Sequence, residues 1–284
     1  MFKKLTIVGP GLLGASLGQA AHGQNLADSI AVWARRAESR LACEDAPWCN
    51  SVHASLAEAV SEADLVVFAT PVNTIIDLIR EAGPHIAENA LVTDVGSTKS
   101  LICRAGFTEI QTPAVFIGSH PMAGSEKTGL ENAREDLFQR RPCFITPFEE
   151  PPTQQVHELA RFWKELGMKV QTINPETHDE IVAHISHLPH VLAAVLCSYL
   201  QSQPEDWIHF AGQGLKDTTR VAAGSPPLWL SILEQNREEI LRSINGFQEE
   251  LSRLERALHN QNSFGMTSIL ERGKFYRDQL PPGE

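Results

Sequence analysis

The 284-residue chain has little of what marks several broad protein classes. Its five cysteines, Cys43, Cys49, Cys103, Cys143 and Cys197, are odd in number and contain no C-x-x-C pair. That excludes a disulfide framework and a cysteine-built zinc site, and points to free thiols in a reducing compartment. Basic charge is scarce. Lys and Arg total 24 against 35 Asp and Glu, a formal net charge of -11, so no basic face for nucleic acid is expected. An anionic substrate must then be caught by a few local cations. No run reads as long and apolar enough to span a bilayer. The apolar stretch after Met1-Phe2-Lys3-Lys4 is too short for a signal sequence, and a cytoplasmic protein is expected. Internal repeats and low-complexity tracts are absent. What remains, 42% hydrophobic and 21% charged residues, suits a soluble globular chain of about two domains.

The first apolar strand, Leu5 to Val8, runs directly into Gly9-Pro10-Gly11-Leu12-Leu13-Gly14 and a helical pattern through Ala21. This is G-x-G-x-x-G between a strand and a helix, the context that a dinucleotide site requires. Gly9 allows the tight turn, Gly11 a close approach of backbone to pyrophosphate, and Gly14 close helix–strand packing. The second strand, Ile30 to Trp33, ends in Ala34-Arg35-Arg36. An NAD site would place Asp or Glu near Ala34 for the ribose hydroxyls. Here two guanidinium groups follow instead, and they suit a 2′-phosphate. NADP is therefore favoured over NAD. The competing reading is that Arg35 and Arg36 simply open a solvated helix.

Strands and helices keep alternating: a helix at Leu56 to Glu62, a strand at Leu65 to Ala69, and a turn at Thr70-Pro71 into the helix around Ile75 to Ile79. A further strand, Leu91 to Val95, ends in Gly96-Ser97-Thr98-Lys99. The pattern predicts a Rossmann-like, parallel, doubly wound sheet. Ser97 serves either as a helix N-cap or as a site hydroxyl. The apolar run Ala114 to Ile117 reads as a strand that delivers His120 into a Gly/Pro/Ser-rich turn, Gly118 to Glu126, at a sheet edge. Open α/β sheets keep ligands at such edges, and histidine takes up a proton near neutral pH. A lone loop histidine satisfied by water is the plainer alternative. Cys143 to Thr146 and Met168 to Ile173 are read as the last strands of the same sheet, flanking an amphipathic helix at Gln155 to Leu166. A domain boundary is placed near Asn174-Pro175, giving residues 1–174 and an all-α second domain, 175–284.

In the second half, His184, His187 and His190 share roughly a third of a helix circumference. No Cys or carboxylate shares that spacing, so no metal is assigned and a polar stripe facing a substrate is favoured. Pro189 predicts a kink beside them. Gly212 to Arg220 reads as a flexible loop in which Asp217 holds Arg220. That arginine is either a carboxylate fork or an ordinary surface ion pair. Leu230, Leu233, Ile240, Ile244, Phe247, Leu251, Leu254 and Leu258 form a heptad-like stripe on one long helix, interrupted at Arg237, which points to a homodimer. Pro281 to Glu284 are expected to be a frayed tail.

Taken together, the chain resembles the prephenate/arogenate dehydrogenases of tyrosine biosynthesis. The resemblance rests on Gly9 to Gly14, Asp94 to Lys99, Gly118 to Gly129, His178-Asp179, Ser186-His187-Leu188-Pro189-His190, and Asp217 to Arg220 with Trp229 following. It implies a Rossmann-like domain and a helical dimerisation domain. The implied reaction is oxidative decarboxylation of prephenate to 4-hydroxyphenylpyruvate with hydride transfer to NAD(P), or of arogenate to tyrosine. By resemblance, His120 accepts the proton of the 4-hydroxyl with support from Ser97, and Arg220 holds the ring carboxylate. His187, His190, Ser125 and Glu126 line the side-chain region. Gly9, Gly11, Leu13, Gly14, Ala34, Arg35, Arg36, Thr70 and Pro71 contact the cofactor. Glu126 and His190 lean toward prephenate, while Arg35-Arg36 lean toward the NADP use common among arogenate enzymes. No fused chorismate mutase or appended ACT domain is expected, so tyrosine inhibition would act at the active site. From another class, a non-catalytic dinucleotide-sensing dimer is disfavoured by the joint presence of Ser97, His120 and Arg220.

Overall fold

The structure, a computed structural model, describes residues 2–124 and 129–280. The chain opens with β1 (Phe2–Val8), α1 (Leu12–Gly23), β2 (Ala27–Trp33), α2 (Ala37–Glu44), β3 (Ser51–His53) and α3 (Leu56–Val60). Next come β4 (Leu65–Phe68), α4 (Val72–Ala82), β5 (Leu91–Asp94), α5 (Ser100–Glu109) and β6 (Val115–Phe116). The six strands form one parallel sheet in the order β3-β2-β1-β4-β5-β6. Strands covered on both faces need apolar residues at successive positions, and Leu65, Val66, Val67 and Phe68 are all fully buried. Leu65 and Val67 join a core with Leu17 of α1, while Val66 and Phe68 join another with Ile75 and Ile79 of α4. The order reverses between β1 and β4, which opens a crevice at their carboxyl ends.

The expectation of one sheet needs correction. The chain leaves the large sheet after Phe116 and starts a second, three-stranded one: β7 (Gly118–Pro121), β8 (Pro142–Thr146) and β9 (Lys169–Thr172), in the order β7-β8-β9. Strand β7 is antiparallel to β8, and β8 is parallel to β9. Gly118 marks the crossing, where a Cβ would lie 2.5 Å from both Cys103 Sγ and Thr146 Oγ1. His120 therefore stands on a strand, paired with Phe144, rather than in a turn. Between β8 and β9, α6 (Thr153–Glu165) covers this sheet with Leu159, Phe162 and the fully buried Trp163. Phe138 and Phe162 meet Trp163 edge-on.

The helices that follow are α7 (Pro175–Val182), α8 (Leu188–Gln201), α9 (Gln213–Thr219), α10 (Pro226–Gln235), α11 (Arg237–His259) and α12 (Ser263–Gln279). The chain divides into two compact units, residues up to Arg237 and residues from Glu238 onward. Within the first, α7 packs on α5 and β8, and α10 packs on α4. A stretch of π-helix, Ala183–His187, joins α7 to α8. The whole segment Pro175–Gln201 is 27 residues long, with a window of mean hydropathy 1.6. One segment is thus apolar and long enough to cross a membrane, contrary to the expectation from sequence. Histidines spaced through an otherwise aliphatic stretch hide its average. Its polar groups are bonded to the sheet unit through His178 and Asp179, which ties the helix to protein.

The long stripe also resolves differently. Leu230 and Leu233 lie on α10 and the remaining positions on α11, because Asn236 ends α10 and turns its amide inward. In the second unit, Ile240 and Ala257 are buried, whereas Phe247, Leu251 and Leu258 of α11 and Phe264, Leu270 and Phe275 of α12 are exposed.

Candidate functional site

The glycine turn sits at the crevice between β1 and β4. Gly9 has φ +101°, and a Cβ there would meet Thr70 Cγ2 at 2.5 Å. A Cβ on Gly14 would lie 2.1 Å from the Gly9 carbonyl oxygen, whereas one on Gly11 would project into open space. Two glycines are therefore fixed by packing and backbone, and the third leaves room beside the start of α1. No side chain caps that helix, so its first N–H groups are available to an anion. The Thr70 hydroxyl is buried against the turn without a hydrogen-bond partner. Leu13 packs on the core beneath, and Pro71 precedes α4. An orphaned hydroxyl, open space at Gly11 and an uncapped helix fit a dinucleotide phosphate.

Arg35 and Arg36 are exposed at the end of β2. Arg36 is the N-cap residue of α2, which runs from Ala37, so the two arginines also stand at the start of a solvated helix. Arg40 reaches back from its first turn and donates through Nη1 to the carbonyls of Ala34 and Arg35 at 2.8 and 2.9 Å. The backbone carrying the two guanidinium groups is thereby pinned, with Ala34 itself buried.

Next to this crevice lies a buried polar network. Asp94 ends β5 and accepts from Gly96 N at 2.8 Å and Ser119 N at 3.3 Å. Lys99, fully buried, donates through Nζ to Asp94 Oδ2 and to the Ser119 carbonyl. These bonds fasten the Ser97 loop to β7 immediately before His120. Ser97 is half-buried on that loop, and it does not cap α5, which begins at Ser100. Asp179 of α7 caps it from outside, accepting from Lys99 N at 2.7 Å and Ser100 N at 2.8 Å.

His120 is 8% exposed, and its Nδ1 lies 2.9 Å from His178 Nε2. His178 Nδ1 in turn lies 2.8 Å from Asp179 Oδ1. Burial, with the neighbouring His178, Lys99 and His187, holds His120 well below the ordinary histidine range. Burial also lowers His178, against the opposing pull of Asp179. Although burial works against its charge, Asp179 stays below the usual carboxylate range because His178 and Ser100 donate to it. His120 is thus neutral at physiological pH and able to accept a proton.

Of the three-histidine stripe, two members turn inward. His184 is exposed and donates to the Glu180 carbonyl. His187 and His190 are buried. The π-turn explains the division, because its i→i+5 bonds shift the phase of the helix, and it ends two residues before Pro189, which has no N–H to offer. His187 Nδ1 accepts from Asn236 Nδ2 at 3.2 Å, and its Nε2 is buried without a partner. Burial pushes this ring down to about 4. His190 stacks on Trp229 with ring centroids 3.4 Å apart, and its Nδ1 is likewise buried without a partner. Burial lowers His190 too, opposed by the Val221 carbonyl. Arg220 is exposed and begins the 3-10 turn Arg220–Ala223, which packs against α8. The stretch before it is helix α9 rather than a loop, and Asp217 accepts from Gln213 at 2.7 Å. Ser125 and Glu126 lie outside the described residues, as do Pro281 to Glu284.

Sequence reasoning gave no separate part to Asp94, Lys99, His178, Asp179 and Asn236. The available signals were an acid ending an apolar strand with a lysine five residues on, and a His-Asp pair in the first turns of a helix. Among the described residues no cluster of His, Cys, Asp and Glu is arranged to hold a metal.

The buried histidines make stability depend on pH. A histidine whose folded pKa lies below its unfolded value binds its proton first in the unfolded chain, so stability is complete above about pH 6.5 and is lost as pH falls. For His187, held at about 4, the loss between pH 7 and pH 4 is about 3 kcal/mol. Urea titrations across that range should show the decline, with a smaller slope in His187→Gln. A flat profile would contradict it.

Residues 32–172 match the family model described as prephenate dehydrogenase, nucleotide-binding domain, and residues 174–272 that described as prephenate dehydrogenase, dimerization domain. The glycine turn precedes the first match, so there the crevice geometry carries the argument. The chain is 27% identical over 266 residues to the cyclohexadienyl dehydrogenase of Zymomonas mobilis, covering 92% of this chain and 90% of that one. It aligns with the prephenate dehydrogenase of A. aeolicus, crystallised with hydroxyphenyl propionate and NAD+, at a TM-score of 0.93 and 27% identity over 99% of each chain. Against the arogenate dehydrogenase of Synechocystis the TM-score is 0.85 at 28% identity, covering 97% of this chain and 99% of the other.

Proposed function

Because the chain belongs to the prephenate dehydrogenase family, a family of nicotinamide-dependent oxidoreductases, we propose that it converts prephenate to 4-hydroxyphenylpyruvate by oxidative decarboxylation, with NADP as preferred cofactor. The observation that carries this reading is a buried, neutral histidine, His120, fastened beside the loop at the carboxyl end of β5. The dinucleotide, when bound, supplies a nicotinamide that accepts hydride. Gly9, Gly11, Leu13, Gly14, Thr70 and Pro71 hold its phosphates and neighbouring groups, and the exposed Arg35 and Arg36 meet a 2′-phosphate.

As hydride leaves the carbinol carbon, His120 takes the hydroxyl proton, and Ser97 supports that hydrogen bond. General-base help of this kind contributes about 10²–10⁴-fold in rate. The ring carboxylate, held by Arg220, then departs as carbon dioxide. Its electron pair completes the aromatic ring, and His120 returns the proton to the phenolic oxygen. His187 and His190, each with a buried unpartnered nitrogen, face the substrate side chain. In this division residues 1–174 bind the dinucleotide and 175–284 complete the substrate site and dimerise. The exposed apolar residues of α11 and α12 support a homodimer. Five free cysteines support a cytoplasmic enzyme.

A second reading, arogenate as substrate, is favoured by the paired arginines and by the likeness to the Synechocystis enzyme. Reduction of NADP and NAD measured in parallel with prephenate and arogenate separates the two. Turnover of arogenate alone would replace the first reading, and turnover of neither would overturn both. For the cofactor, Arg35→Ala should weaken NADP by about 10–100-fold, the worth of a charged hydrogen bond, with NAD little changed. Equal losses for both would remove the 2′-phosphate contact.

A further inference from the structure

Two buried titratable groups stand behind His120 without a part in the proton transfer just described. His178 is fully buried and Asp179 is 3% exposed, so solvent does not compete for their bonds. The donors fix the direction of the chain. Asp179 Oδ1 takes the Lys99 N–H, and its Oδ2 takes the Ser100 N–H. Backbone amides can only donate, so the carboxylate is an acceptor throughout, and it accepts from His178 Nδ1 as well. With its proton on Nδ1, neutral His178 offers only a lone pair at Nε2. The contact to His120 must then be made by an N–H on His120 Nδ1. That leaves the lone pair of His120 on Nε2.

We propose that His178 and Asp179 are a positioning pair that holds His120 in the tautomer whose Nε2 is the base. The proposal rests on the assignment of His120 as base. It adds the reason why that ring presents a lone pair rather than an N–H to the hydroxyl. The proton taken from the hydroxyl stays on His120 Nε2 until it is returned, and no further carrier is needed. Phe144, packed edge-on against His178 with centroids 5.4 Å apart, fixes the ring plane from the other side.

The test is Asp179→Asn. An asparagine keeps an oxygen for the Ser100 amide and puts its NH2 where Oδ1 stood, so it offers an N–H to His178 Nδ1 and gives up the bond to the Lys99 amide. His178 would then turn its own N–H toward His120 and leave the His120 proton on Nε2. In the corresponding arrangement of serine proteases, loss of the correct tautomer costs about 10⁴ in kcat. Here kcat should fall by at least about 10²-fold with KM little changed. Nitrogen NMR of labelled histidine should show His120 Nε2 unprotonated in the parent enzyme and protonated in the variant. A parent enzyme with the proton already on Nε2 overturns the proposal, as does a variant with unaltered tautomer and kcat. If Asp179→Asn does not fold, His178→Phe decides, since it leaves the Asp179 cap in place and removes only the acceptor. Its kcat should fall with KM unchanged, and an unaltered kcat overturns the pairing. Failure of the base assignment shows separately, as full activity in a His120 variant.

Discussion

Replacing His120 with asparagine should lower kcat by about 10²–10⁴-fold while the dissociation constant for NADP stays close to that of the parent. The split follows from where the residue sits. His120 lies on β7, in the small sheet, and the dinucleotide crevice is built by β1, α1 and β4 of the large one. Asparagine is smaller and polar, so the strand pairing with Phe144 can persist while the ring nitrogen is lost. The pH dependence gives a second reading of the same residue. Burial, with the neighbouring His178, Lys99 and His187, lowers His120, so the acid limb of kcat/KM in the parent should fall below pH 6.5, the ordinary histidine value. Titration calorimetry with NADP alongside steady-state rates measures both effects. A collapse of cofactor binding in the variant would make His120 a structural residue of the crevice wall.

Lys99→Met should be the most damaging single substitution for stability in the first unit, at about 3–5 kcal/mol. Removing the cation leaves the fully buried Asp94 carboxylate uncompensated, and the Ser119 carbonyl loses its donor. Burial already pushes Asp94 up, with Lys99 the main opposing influence. The lone acid would therefore take up a proton, and the loss should shrink at low pH. Asp94→Asn combined with Lys99→Met should recover part of the loss. A neutral amide oxygen still accepts from Gly96 N, and no buried charge is stranded. Urea unfolding of the single and double variants tests this. A double variant no better than the single one would mean that the ammonium serves the Ser119 carbonyl rather than the carboxylate.

How much of this was legible depended on the distance over which each feature is determined. Gly9 to Gly14 could be read because each glycine answers a local demand: a positive φ at Gly9 and the contact between Gly14 and the Gly9 carbonyl. Five of the six parallel strands could be read from apolar runs, whereas β3, Ser51–His53, has a single aliphatic residue and is a strand because β2 lies alongside. The second sheet could not. Its first strand is only Gly118–Pro121, four residues with no apolar period, and it exists because β8 lies alongside. His120 was singled out, but its contact with His178 spans 58 residues and depends on how α7 docks against β8. The π-turn was equally hidden. It moves His184 away from His187 and His190, which an ideal helical wheel puts on one face. Asn236 gives no signal in the sequence, since nothing local shows that its amide is needed by the Asp179 carbonyl and His187.

The bond from Asp179 to the start of α5 bears on how enzymes of this build can be recombined. The family models part at residues 172 and 174, which invites exchange of halves between relatives at that seam. Yet Asp179, five residues beyond Asn174, supplies the cap for a helix of the first half and the last partner in the line behind His120. A chimera joined at 174 would inherit its base from one parent and the group that orients that base from another. A graft that keeps residues up to Arg237 from one parent carries both across together, along with the Asn236 amide that binds the Asp179 carbonyl.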